Sequence, residues 1–281
     1  PWGKTEPSAI NYSALTHINY GFGTLHQKNS PANITIDQYY DGARIKELKK
    51  YGSQNNVKVL MSIGGWTGSQ TFSIVAKDSG LINQFVQNAL YFVRKDGYDL
   101  DGIDIDWEYP VCQGSDNNAK DPNDSSNYLN LLKALRAALD KEFGAGNKLI
   151  TAAVRVQPFF DPSCNPMSDV SAFAQFFDFI NIMAYDIMGP WSSTTGPNAP
   201  HNADPKNSNT YSFTQSIQSW TKAGFPANKL VGGLAFYGHS MTATVDMTAD
   251  PSNIYVSKSS AIPKGDEFDA CEANAINNEG A

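Results

Sequence analysis

Several scarce features limit the class of this chain. Three cysteines in 281 residues are too few for a disulfide-built scaffold, and the odd count leaves one without a partner in the chain. The four histidines are scattered, which gives a zinc site little support. Charged residues make up 17% with a net charge of −7, and no run of Lys or Arg stands out, so nucleic acid and anionic membranes are poor partners. No apolar run approaches the length of a membrane span. There is no short repeat, low-complexity stretch or clear linker. No secretory leader is visible, and a chain starting at Pro1 rather than Met reads as processed or partial. Asn-x-Ser/Thr triplets at Asn11, Asn33 and Asn123 point weakly to secretion.

What remains is an ordinary globular composition, 41% hydrophobic, long enough for one large domain or a (β/α) barrel with insertions. Apolar strands alternate with amphipathic helices. Residues 15–22, 57–63, 149–156, 177–185 and 229–238 read as strands, and a sixth lies within 99–110. Helices are predicted over 41–51, 80–95, 125–143, 168–177 and 210–223. The strongest is 125–143, where Tyr128, Leu131, Leu132, Leu135 and Leu139 recur at helical spacing. This order fits a parallel α/β fold, either doubly wound or a barrel. Ser62, Glu108, Gln157, Tyr185, Asp186 and His239 fall at or just past the ends of separate strands. That spread favours a barrel mouth over a single switch point.

Segment 99–110, DLDGIDIDWEYP, carries the chemistry. Asp104, Asp106 and Glu108 are spaced by two and share one face of a strand; Ile103, Ile105 and Trp107 take the other. Asp101 has the wrong parity, and Gly102 allows a bulge that re-aims it. Like charges about 6–7 Å apart in a partly dry interior couple their titrations and raise at least one pKa. Such coupling can hold a Glu protonated as a general acid. A solvated edge strand and a divalent-metal site are the plainer alternatives.

DGIDIDWE (101–108) resembles the DxxDxDxE signature of family-18 glycoside hydrolases, the chitinases and their relatives. LTHINYGF, MSIGGW (61–66), NIMAYDIMGPW (181–191) with TGPNAP (195–200), and GLAFYGHS (233–240) resemble that family's second, third, sixth and seventh barrel segments, in order. The resemblance implies a (β/α)8 TIM barrel, here incomplete, with strands two to seven present and one and eight missing. It implies a partial catalytic domain over 1–240, with an insertion or irregular tail beginning over 241–281. It further implies secretion, no cofactor, no metal, and a monomer acting on chitin or N-acetylglucosamine oligomers. The isolated chain is expected to be weakly active.

The implied roles are specific. Glu108 is the acid and base in a retaining, substrate-assisted reaction. Asp106 orients the substrate's acetamido group, Asp104 shares a proton or hydrogen bond with Asp106, and Asp101 supports the strand. Tyr185 bonds the acetamido oxygen. Asp186, Met183, Trp66, Trp191, Phe22, Tyr20, Asn198 and His239 contact sugar, while Ser62, Gly64 and Gly65 shape the mouth. His239 departs from the pattern, because the family usually carries Arg there. Cys112 and Cys164 follow neighbouring strands and are expected to form a disulfide, with Cys271 pairing outside the chain. Two other functions share these motifs: an endo-β-N-acetylglucosaminidase and a non-catalytic chitin-binding lectin.

Overall fold

A computed structural model describes residues 5–207, 211–261, Pro263 and the backbone of 279–280. Cys271 and the N-terminal residue of the predicted 210–223 helix lie outside the described residues. Six strands form one sheet in chain order: β1 (His17–Gly23), β2 (Lys58–Gly64), β3 (Gly102–Asp106), β4 (Leu149–Val154), β5 (Phe179–Ile182) and β6 (Leu230–Gly232). β1 through β4 pair in parallel. Sequential order with helical crossovers leaves no switch point, so the doubly wound alternative is excluded and the fold is an incomplete (β/α) barrel.

The helices are α1 (Asp41–Gln54), α2 (Phe72–Ala76), α3 (Ser79–Val93), α4 (Asp124–Phe143), α5 (Ser171–Ala174) and α6 (Phe213–Lys222). Asp78 caps α3 by accepting from the Leu81 amide, which satisfies one of the free N–H groups of the first turn. α4 buries all five residues of its predicted stripe and ends at Gly144, whose φ of +88° suits glycine. One expectation needs correction. The helix over 168–177 shrinks to α5, because the Asp169 side chain bonds the Ser171 amide and Val170 N donates to Ala223 O. No helix among the described residues is long and apolar enough to cross a membrane.

The chain forms two compact units. The first comprises Pro1–Asn181 and Trp220–Leu230; the second comprises Ile182–Ser219 and Val231–Ala281. In the first, Trp107 stacks on Phe72 at 5.1 Å and meets Tyr128 edge-on at 5.3 Å. Tyr128, Phe159, Phe173 and Trp220 continue the aromatic layer. The Ile103–Trp107 face of β3 is therefore core, as the alternation requires, and its acids are left to the other face.

Candidate active site

The acids of β3 divide into one that precedes the strand and three that follow its inner face. Asp101 lies just before β3. Its Oδ2 accepts from Lys49 Nζ at 2.8 Å and from the Val59 amide at 2.9 Å, and Lys58 Nζ stands 3.7 Å from Oδ1. Burial raises this carboxyl, but the lysines and the amide outweigh burial and hold it below the usual range. The expected bulge at Gly102 is absent. The register runs unbroken from Leu60–Gly102 to Gly64–Asp106, with Asp101 held just before the strand by Lys49 of α1 and by Lys58 and Val59 of β2.

Asp104 is 1% exposed. Ser62 Oγ donates to its Oδ2 at 2.7 Å and Thr151 Oγ1 to its Oδ1 at 2.5 Å. These hydroxyls come from β2 and β4, directly opposite in register. Burial pushes the Asp104 carboxyl up, and the two hydroxyls pull part of that back. Both carboxyl oxygens of Asp104 thus accept a hydroxyl from a neighbouring strand.

Asp106 is 5% exposed, and its Oδ1 is buried with no hydrogen-bond partner among the described residues. Burial first, then the charges of Glu108 and Asp104, raise it well above the carboxylate range. An isolated buried carboxylate is costly, so these surroundings favour the protonated form of this side chain. Glu108 follows, half-buried, in the turn after β3. Its amide donates to Ser69 Oγ at 3.1 Å, and its carbonyl accepts from Asn118 Nδ2 at 2.6 Å. Ser69 Oγ also lies 2.8 Å from Gly65 O and 3.0 Å from Asp106 O. Gly64 has φ +120°, and a Cβ there would fall 2.0 Å from Asp106 O. The end of β2 can pass that close to the acidic strand only as glycine. Gly65 N then donates to Asp106 O at 2.8 Å.

Two expected aromatics stand open in this unit, Trp66 at 52% and Phe22 at 44% exposure. Tyr20, expected to reach sugar, is instead buried, and its hydroxyl donates to Asp41 Oδ1 at 2.6 Å. Burial and that bond raise its pKa. It braces β1 against the start of α1. Cys112 and Cys164 are joined by a disulfide with Cα atoms 6.1 Å apart.

The second unit gathers a polar and aromatic cluster. Asp186 adopts φ +55°, an uncommon left-handed conformation that Asp tolerates better than most residues. Its amide donates to Asn198 Oδ1 at 2.8 Å, while Asn198 Nδ2 donates to Tyr237 O at 3.2 Å. Asp186 Oδ1 accepts from Tyr237 Oη and pairs with His239 Nε2, both at 2.7 Å. Trp191 meets His239 edge-on at 4.9 Å and is half-exposed; Tyr185 meets Tyr237 at 6.0 Å. Met183 is half-buried beside them in sequence. Among the described residues, no three His, Cys, Asp or Glu side chains are arranged to hold a metal ion.

The family model for glycosyl hydrolases family 18 matches residues 1–277. The chain belongs to that family. It is 39% identical over 246 residues to a chitinase-like effector of Moniliophthora roreri, covering 86% of this chain and 57% of the relative. It is also 39% identical over 260 residues to chitinase A1 of Niallia circulans, covering 84% of this chain and 36% of that protein. The chain thus spans about half the length of these relatives or less. A chitinase from Rhizomucor miehei superposes with a TM-score of 0.82 at 34% identity, over 94% of this chain and 69% of the other.

Within this family-18 frame, sequence reading passed over Ser69, Asn118, Thr151 and Tyr109. The last sits with its ring centroid 5.2 Å from the Arg155 guanidinium carbon. Only Thr151 left a usable signal, a lone hydroxyl in an apolar strand that turns out opposite Asp104.

Proposed function

We propose that this chain cleaves β-1,4-linked N-acetylglucosamine polymers with retention of configuration, by a substrate-assisted reaction. The observation that carries the reading is the buried, unpaired Oδ1 of Asp106 between Asp104 and Glu108. In the first step, Glu108 gives its proton to the glycosidic oxygen as the C1–O bond breaks. The carbonyl oxygen of the substrate's acetamido group bonds to C1, forming a cationic oxazolinium. Asp106 accepts the acetamido N–H. The Asp106 carboxylate faces the growing positive charge of the oxazolinium, so its stabilisation is greatest in the transition state. In the second step, Glu108 takes a proton from water, which attacks C1, opens the oxazolinium and restores the first configuration. Tyr185, Asp186, Met183, Asn198, Trp191, His239, Trp66 and Phe22 keep the sugar-binding roles that the family resemblance implies. Secretion is part of the proposal, and the Cys112–Cys164 disulfide fits an oxidising compartment.

The test is hydrolysis of chitin oligomers by the wild type beside Glu108→Gln, with the first product's anomer read by NMR. A rate loss of about 10²–10⁴-fold and initial β-anomer are expected. Equal rates in both proteins, or initial α-anomer, would sink the mechanism. A second reading, binding of chitin oligomers without turnover, draws on the Moniliophthora roreri relative's name and on His239 in place of the family's Arg. Saturable binding by a wild type that cleaves nothing would favour it.

A further inference from the structure

Two loops meet at the peptide groups of Glu108: residues 65–71, which follow β2, and residues 109–123, which follow β3. The first is tied to the chain after β1, because Leu25 N donates to Gly68 O and Thr71 N donates to Leu25 O. It is tied to the second by Ala119 N, which donates to Gln70 O at 2.9 Å. Each loop then places one buried side chain on the main chain of Glu108. Ser69 Oγ accepts from the Glu108 amide at 3.1 Å, and its single proton serves Gly65 O or Asp106 O, at 2.8 and 3.0 Å. Asn118 donates from Nδ2 to Glu108 O at 2.6 Å. Its Oδ1 is buried with no hydrogen-bond partner among the described residues. An apolar side chain would leave no such atom, so the bond to Glu108 O must offset that cost. Nothing in the reaction described above uses either residue.

We propose that Ser69 and Asn118 are positioning residues for the Glu108 acid: together they fix the peptide group on each side of Glu108 and so aim its carboxyl at the glycosidic oxygen. The inference rests on the reading of Glu108 as acid and base. β3 ends at Asp106, so Glu108 stands in the turn beyond the strand, where no sheet ladder holds the chain. A general acid has to stand within hydrogen-bond reach of the atom it protonates. A displacement of about 1 Å can cost about a hundredfold in rate. Ser69 meets both Asp106 O and Glu108 N, so one hydroxyl sets the spacing of these two residues through their main chains. Asn118 fixes the next peptide group, where the chain turns away from the site. The bond between Gln70 O and Ala119 N keeps the two side chains in step, because each is a sequence neighbour of one partner in it.

The test uses Ser69→Ala, Ser69→Thr, Asn118→Ala and Asn118→Asp. In both alanine variants kcat/KM for chitin oligomers should fall about tenfold to a hundredfold, through kcat rather than KM. Aryl glycosides, whose leaving group needs little protonation, should be slowed far less. Ser69→Thr keeps the hydroxyl and should recover most of the rate. Asn118→Asp keeps the shape but loses the donor, and should be as slow as Asn118→Ala. Without turnover, Ser69→Ala should speed hydrogen exchange of the Glu108 amide, followed by NMR, about tenfold. Equal losses on oligomers and aryl glycosides in folded variants would mark a general disturbance of the fold and overturn the inference, as would no loss on either. If Ser69→Ala does not fold, the Asn118 pair decides alone, and an Asn118→Asp as fast as wild type would overturn it. A wild type that cleaves no oligomer would instead refute the hydrolase reading, while Glu108 amide exchange still decides the hold: an unmoved rate in Ser69→Ala would overturn it.

Discussion

Asp101 and Asp106 sit five residues apart in one segment, and their surroundings drive them in opposite directions. Asp101 meets two lysines and a backbone amide at the start of β3, which keep it ionised against its burial. Asp106 meets burial and two more carboxyls, which push its pKa up. The first arrangement favours the fold, and the second works against it. A motif that looks uniform in sequence therefore combines a structural clamp with a site that costs stability. Such opposition is expected where chemistry needs a charge that folding alone would not tolerate.

The largest effect that tests this contrast is Asp106→Asn. Oligomer hydrolysis should fall by about 10²–10³-fold, the usual scale for losing transition-state charge stabilisation. Stability should rise at the same time. The folded pKa of Asp106 lies above the unfolded value of about 3.9, so its carboxyl favours folding at low pH and disfavours it as pH rises through the folded value. The Tm gain of Asp106→Asn should accordingly be larger at pH 8 than at pH 4. A variant less stable at every pH would break the comparison.

Next in size is the disulfide that joins the loops after β3 and β4. Replacing Cys112 and Cys164 by Ala frees a separation of 52 residues, and about 2–4 kcal/mol of stability should be lost in urea unfolding. Asp101→Asn follows, at about 2 kcal/mol near pH 7, because charge-assisted bonds from Lys49 and Val59 weaken. Here the sign is reversed. The folded pKa is depressed, so the contribution is present above about 3.9 and lost as pH falls through the folded value. Wild type and Asp101→Asn should converge in acid, and kcat should be nearly unchanged. Equal stability at pH 7 would show that the clamp contributes nothing.

Much of this contrast was legible in the sequence. Six apolar runs gave six strands, and the spacing of Asp104, Asp106 and Glu108 placed them on one face opposite Trp107. The parity of Asp101 marked it as different, although its partners were not readable: Lys49 and Val59 approach through space from α1 and β2. Thr151, Ser69 and Asn118 were missed for the same reason, since single hydroxyls and amides acquire meaning only once strand register and loop path are known. α2 was missed because five residues span too little to show a helical period. The resemblance gave Tyr20 a sugar contact, while its hydroxyl meets Asp41, a partner 21 residues away that only the fold brings near.

The sharpest control on Asp101 is a residue outside any motif. Asp178 stands just before β5 as Asp101 stands before β3. Its Oδ2 accepts from Arg136 Nη2 and from the Ile150 amide of β4, both at 2.7 Å. The geometry repeats that of Lys49 and Val59 around Asp101, two strands further along the sheet. Arg136 reaches it from α4, as Lys49 reaches Asp101 from α1. At 32% side-chain exposure against 14%, Asp178 is the wetter copy, so screening should reduce the loss in Asp178→Asn to about 1 kcal/mol. If Asp101 is only a clamp, both asparagine variants should lose stability and spare kcat, in the ratio their exposure sets. If Asp101→Asn alone slows oligomer cleavage, Asp101 acts on the acids beyond holding the strand, and the division within β3 moves one residue earlier.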